Sequence, residues 1–272
     1  MNCYATVSDL KSTISTGKSD AFLLALLESA SREIEGPELA NRCFWTVIET
    51  RIFNGPERDT RFDSMPAYIL TGDYLTVNSV EEDEVGDLAY STAWEAGTWT
   101  MGPHGEWPRY LVHVNVFKAR RFRPGVGRYR LTGLWGAGDC AGSAWRGSGV
   151  TGGIGTASGT TLTLSGAGVV DAGHTLQLED EQMYVTSVSG TSATVTRGVN
   201  GTTAAVHADG TTVNLAAYPS EVWMATLWLT SALLTQMAAA GLSSESVGQY
   251  RAAYKDINLE LVRRMLGRVR AA

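Results

Sequence analysis

Three short stretches carry residue types that could do chemistry. Gly-Asp-Cys-Ala-Gly at 138–142 mimics a nucleophile elbow, in which a strand delivers Cys140 to a tight turn. An elbow also needs a helix behind it and a histidine and an acid beside it. No helical period follows Cys140, and His174 and His207 have no acid partner by spacing. The stretch "GSGVTG" at 147–152 matches the Gly-x-Gly-x-x-Gly pattern literally. A dinucleotide site needs that pattern between a strand and a helix, so that the pyrophosphate meets a helix N-terminus. Here "GIGTASGTTLTL" follows, which reads as a flexible Gly-rich junction. The acidic run "EEDEVGD" (Glu81, Glu82, Asp83, Glu84 and Asp87) lacks the alternating ligands and glycine placement of a calcium loop. His104 sits in a Gly/Pro turn without a metal partner at useful spacing. The sequence therefore predicts no catalytic residue, no cofactor and no metal, and a solvated acidic loop at 81–87.

Charge points to contacts rather than catalysis. The chain carries 22 Lys and Arg against 28 Asp and Glu, a formal charge of −6, which argues mildly against a surface built for nucleic acid. The distribution is uneven. From Ser246 onward the basic residues Arg251, Lys255, Arg263, Arg264, Arg268 and Arg270 face only Asp256 and Glu260, so this tail reads as docking on something acidic. A second basic run, Lys118, Arg120, Arg121 and Arg123, reads as a solvated loop or as a contact with an acidic protein surface or phosphates. The three cysteines, Cys3, Cys43 and Cys140, are too few and too widely spaced for a disulfide framework or a zinc site. The first residues show no signal-peptide pattern, and no apolar run is long enough for a membrane helix. The Asn200-Gly201-Thr202 sequon is accordingly expected to stay unmodified.

The elements that position these residues follow from periodicity. Ser8 is expected to cap a first short helix and Ser19 a second, with Leu23, Leu26, Leu27, Ala30 and Ile34 on one face. Residues 44–135 read as short strands and turns, with "AYILTGDYLTVNSV" giving two strands around Gly72-Asp73. In "RYLVHVNVF" the valine face is expected inside. Near Gly136 the composition changes to Gly, Thr and Ser, and strand-like pieces recur at short intervals to about Ala217. One hairpin register is predicted there: Val185 opposite Val195 and Met183 opposite Arg197, through a three-residue loop 189–191 with Gly190 left-handed. Asn200-Gly201 and Asp209-Gly210 read as turns. From Pro219 the chain is helical again. A last amphipathic segment places Tyr250, Tyr254, Ile257, Leu261 and Met265 on one face. The expected fold is α+β: a helical body with short strands (1–138 and 218–272) carrying an inserted small all-β domain (139–217), a sandwich or barrel.

The order of elements resembles that of tailed-phage head–tail connector (adaptor) proteins. The carrying residues are "YATVSDLKSTI…SDAFLLALLESASREIE", "TRIFNG", "AYILTGDYLTVNSV", "LTGLWG" with Gly133, Trp135 and Gly136, and the Pro-led "PSEVWMATLWLTSALLTQ". "EDEQMYVTSVSGTSATVTRGVNGTTAAVHADGTTV" is similar to a segment within some of these proteins and is the most specific signal, and "SSESVGQY" resembles the junction before their tail. Two stretches depart from the family: "ELANRCF" retains only part of its Cys-Gly-Arg-Arg-Phe-like motif, and the acidic, Trp-rich 81–107 is long. The resemblance implies a structural, non-enzymatic virion protein of the head–tail interface, made in the host cytoplasm. It implies a ring, commonly of twelve copies, beneath the portal, through which DNA passes without specific binding, and no membrane. Its partners would be the portal, the stopper or tail-completion protein and, through the β-domain, capsid protein. Tyr250, Tyr254, Ile257, Leu261, Arg263, Arg264, Arg268 and Arg270 would dock on the portal. Glu81, Glu82, Asp83 and Glu84 would face the channel or an interface. The alternative is a virion-surface module whose β-domain attaches to capsid or host.

Overall fold

The computed structural model describes residues 2–56, 68–114, 121–239 and 259–270. They form two compact units: Met1–Trp45 with Ala144–Ala272, and Thr46–Ser143. The expected α+β fold with a helical body is not what the chain adopts. Strand accounts for 38% and helix for 21%, with four helices among the described residues. The reason lies in 47–135, where β-branched and aromatic residues build long paired strands rather than short ones.

That second unit is an antiparallel sheet ordered β1-β6-β2-β5-β4, with β1 Val47–Gly55, β2 Tyr68–Glu82, β4 Trp99–Gly102, β5 Arg109–Val114 and β6 Gly125–Trp135; the two-residue β3 (Thr92–Ala93) pairs with the end of β2. Gly72-Asp73 does not end a strand. β2 runs through it as one 15-residue element, with its register against β5 shifting between Leu70 and Tyr74. Gly72 takes a left-handed φ of 75°, which a bulge accommodates without breaking the strand. One side of the sheet holds the buried Tyr74, Val80, Val112, Phe122, Tyr129, Leu131 and Trp135, so the valine-in expectation holds at Val112. Trp94 stacks on Phe122 at 5.0 Å. The other side carries Ile48, Thr50 and Ile52 of β1 opposite Leu134, Thr132 and Arg130 of β6.

In the first unit, six strands close a barrel in the order β10-β11-β8-β7-β12-β9. They are β7 Trp145–Ile154, β8 Thr161–Leu164, β9 Thr175–Leu178, β10 Glu181–Ser189, β11 Ser192–Thr196 and β12 His207–Ala216. Closure removes sheet edges. Alternating residues fill the interior, among them Val150, Leu162, Leu176, Met183, Val185, Val195 and Val213. Val185 does pair with Val195, but through the two-residue turn Gly190-Thr191, because Ser189 pairs with Ser192. A register shift between Val185 and Ser187 supplies the change of parity that a three-residue loop was expected to give. Met183 pairs with Leu176 of β9.

"GSGVTG" lies inside β7, not in a junction. Glycine there lets strands approach: a Cβ on Gly153 would stand 2.2 Å from Asp209 Oδ1 and 2.8 Å from its backbone. Asp209-Gly210 is correspondingly a bulge within β12, whose pairing with β7 shifts between His207 and Thr211. Asn200-Gly201 is a true turn, with φ of 56° and 80° and a Thr202 N–H to Val199 carbonyl bond of 3.2 Å.

α1 (Val7–Thr13), α2 (Asp20–Glu35), α3 (Ser220–Ala239) and α4 (Leu259–Met265) belong to this same unit. α1 is capped by Thr6 rather than Ser8, in a reciprocal capping box with Asp9. α2 starts at the expected Ser19 cap. Leu23, Leu26, Leu27, Ala30 and Ile34 are buried, as are Val222, Ala225, Leu229 and Leu233 of α3.

Gly153→Ala is expected to lower unfolding free energy by about 1–3 kcal/mol, because a Cβ would force β12 away. Gly147→Ala, whose Cβ would meet nothing within 4 Å, is expected to be neutral or slightly stabilising. Denaturant midpoints of the two variants check this contrast.

Candidate functional site

Two polar clusters stand out in the barrel unit. The first is built on Glu181, at the start of β10 and 1% exposed. Arg197 holds it with both arms, Nε to Oε1 at 2.6 Å and Nη2 to Oε2 at 2.7 Å. The Gly198 and Ala205 amides donate to it at 2.9 Å each. His207, also buried, places Nε2 at 2.9 Å from Glu181 and Nδ1 at 2.8 Å from Glu179. Arg197 also donates to the Thr156 and Gly159 carbonyls at 3.1 and 3.0 Å. Burial alone would raise the Glu181 carboxyl, but the Arg197 guanidinium, the two amides and His207 outweigh it and hold the group at about 2. Asn200 extends the network, its side chain bonded to Asn2 and Gln182 at 2.8–3.1 Å. Glu181, Arg197 and His207 are buried and spend their polar groups on one another and on the backbone, so the centre of the cluster is a fastening. Spacing hid the acid partners of His207, because they come from the β9–β10 turn and the opposite strand.

The second cluster lines an open groove of about 700 Å³ where α1, the start of α3 and the 165–175 connection meet the barrel. Asp9 of α1 accepts the Trp223 indole N–H at 3.1 Å through Oδ2. Asp171 accepts the Ser8 amide at 2.7 Å. His174 Nδ1 accepts the Asp171 amide at 3.0 Å, which places the ring proton on Nε2. Burial, then the nearby Arg146 charge, push His174 down to about 4 despite Asp171. Arg146 is exposed and has neither ion pair nor hydrogen bond among the described residues. The Tyr218 hydroxyl is buried beside the Thr175 hydroxyl, and the residue lines the same groove. Sequence reasoning missed this cluster, because its members are spread from Ser8 to Trp223 and none sits in a motif.

The residues singled out by sequence fall as follows. Glu82 and Asp83 are buried rather than solvated. Glu82 accepts the Trp94 indole N–H at 3.2 Å and lies 3.7–3.8 Å from Arg128 and Arg123. Asp83 caps its own turn through the amides of residues 85–88; burial would raise it, yet these donors hold it below the usual carboxylate range. Glu81 is paired with Arg130 at 2.7 Å, and Glu84 and Asp87 are exposed. In the basic run, Arg121 is exposed and Arg123 reaches Glu82, while Lys118 and Arg120 lie outside the described residues, as do Tyr250, Tyr254 and Ile257. In α4 and the turn after it, the buried stripe is Val262, Leu266 and Val269, and Leu261 is exposed. Arg263 binds Glu38, Arg270 the Pro37 carbonyl at 3.2 Å and Arg264 its neighbour Glu260 at 3.4 Å; nothing in the structure assigns a contact to Arg268. The Cys3 thiol is pushed up to about 12 by burial and Cys43 higher still, so neither is a nucleophile at neutral pH. Among the described residues no group of His, Cys, Asp and Glu is arranged to hold a metal ion.

Compared with family models, curated proteins and solved structures, the chain matches none.

The barrel's stability should depend on acidity in two windows. Glu181 is depressed from 4.5 to about 2, so its stabilisation is complete above pH 4.5 and is lost as pH falls towards 2. His174 is depressed from 6.5 to about 4, so the folded state resists its protonation and stability also falls between pH 6.5 and 4. Denaturant midpoints across pH should show Glu181→Gln flattening the lower window and His174→Gln the upper one. Arg197→Met strands a buried carboxylate and is expected to cost about 3–5 kcal/mol at neutral pH, measured by the same unfolding curves.

Proposed function

We propose that this chain is a structural head–tail connector of a tailed bacteriophage. It would form a ring, commonly of twelve copies, beneath the portal, extend the DNA channel and dock the stopper or tail-completion protein. The kind of protein comes from the connector-like sequence segments. The observation that carries self-assembly is an apolar sheet face: Ile52 and Leu70 are 58% and 66% exposed, with Ile48 and Tyr68 also open. These four lie on the side of the sheet away from the aromatic core. Around them Thr50 bonds Thr132 at 2.8 Å and Arg130 is neutralised by Glu81, so the face carries little net charge. Ile48 and Ile52 lie level with Thr76 and Glu81 of β2, far along the strand from Tyr68 and Leu70, so the face offers two separate apolar pairs for repeated subunit contacts to cover. Gly-x-Gly-x-x-Gly lies inside β7 with no helix after it, unlike a dinucleotide site.

The reading is tested by particle mass and negative-stain imaging, alone and with the portal of the same phage. Rings, alone or on the portal, are expected. Ile52→Glu combined with Leu70→Glu should cut assembly at least about tenfold while leaving the circular dichroism of the subunit unchanged. Truncation after Gly248 should abolish portal binding. A chain that stays monomeric both alone and with the portal overturns the proposal.

A further inference from the structure

We propose that the groove between α1, α3 and the barrel is a binding site for a carboxylate-bearing sugar unit, of the uronate type. This goes beyond the connector role and stands without it. Hydrogen bonds run through the site: Trp223 to Asp9, Ser8 to Asp171, and Asp171 to His174. Arg146 of β7 lines the same groove as His174. Each member offers what a hydroxylated ring with one carboxylate needs. Trp223, 38% exposed, gives an apolar platform whose indole N–H is already fixed by Asp9. Asp9 Oδ1 has no partner among the described residues and can accept from a sugar hydroxyl. His174 Nε2–H donates.

Arg146 decides the class. It makes no ion pair among the described residues, although Asp9, whose Oδ2 takes the Trp223 indole and the Thr6 amide, and Asp171, which takes the Ser8 amide, line the same groove. A free guanidinium matches a carboxylate by its two-pronged geometry. The volume of about 700 Å³ lies within the range of small-molecule sites. An acidic peptide would use Arg146 equally well, but it would leave the Asp9 acceptor and the ring platform unmatched, so the sugar is favoured.

The test is a titration of the full chain with glucuronate, glucose, acetate and the blocked peptide acetyl-Gly-Glu-Gly-amide, followed by two-dimensional NMR. The Trp223 indole signal is identified by its loss in Trp223→Phe. Glucuronate is expected to shift that signal with saturation near ~1 mM, and glucose to bind at least about tenfold more weakly. Arg146→Gln should weaken glucuronate by about tenfold with the spectrum otherwise unchanged, and leave glucose unaffected. The proposal is overturned by no shift at ~100 mM glucuronate, by equal binding of glucose, or by acetate or the peptide binding as tightly as glucuronate.

Discussion

A buried carboxylate governs this protein's barrel. Glu181 is shut away from water, and an unpaired charge there would cost several kcal/mol. Its partners come from three places in the chain: Arg197 at the end of β11, the amides of the following connection, and His207 at the start of β12. Arg197 in turn grips the turn between β7 and β8. One charge thus fixes where the last strand enters, and that strand closes the barrel by pairing with β7 and β9. The Thr- and Gly-rich segment from 196 to 213 is therefore a structural clasp. Its conformation follows from satisfying Glu181, with Asn200 and Gly201 supplying the left-handed backbone that the clasp requires.

The same logic runs through the sheet unit. Glu82 is buried among Trp94, Tyr129 and two arginines, and Asp83 folds its own turn. What reads in sequence as an acidic surface is largely consumed by the fold. The α4 segment behaves similarly, since Arg263 and Arg270 satisfy acceptors at 37–38 within their own unit. Charge that is spent internally is not available to a partner. The groups left unspent, the open sheet face and the groove around Arg146, are where the connector and sugar-binding proposals rest.

Much of the local structure was legible. The α2 stripe, the alternation of β6 and the pairing of Val185 with Val195 follow from periodicity alone, because burial of one face dictates spacing. The errors were of two kinds. Bulges at Gly72 and at Asp209-Gly210 look like turns in sequence, since both use the same residues, whereas the bulge near Thr186 carries no such signal. The α4 face was misread because Leu261 and Val262 begin competing stripes, and only packing chooses between them. The helical body fails for a larger reason: strand length in 47–135, set by β-branched and aromatic residues, is not encoded in the order of elements.

The sequence by itself determined the strand-rich Gly/Thr segment and the helices at either end, since these depend on neighbours a few residues apart. Tertiary structure decided the rest. It closed six strands into a barrel, brought Glu181 to Arg197 and His207, and gathered Asp9, Arg146, His174 and Trp223 around one groove. Such groups meet through strand register and helix docking, and no local spacing encodes those distances.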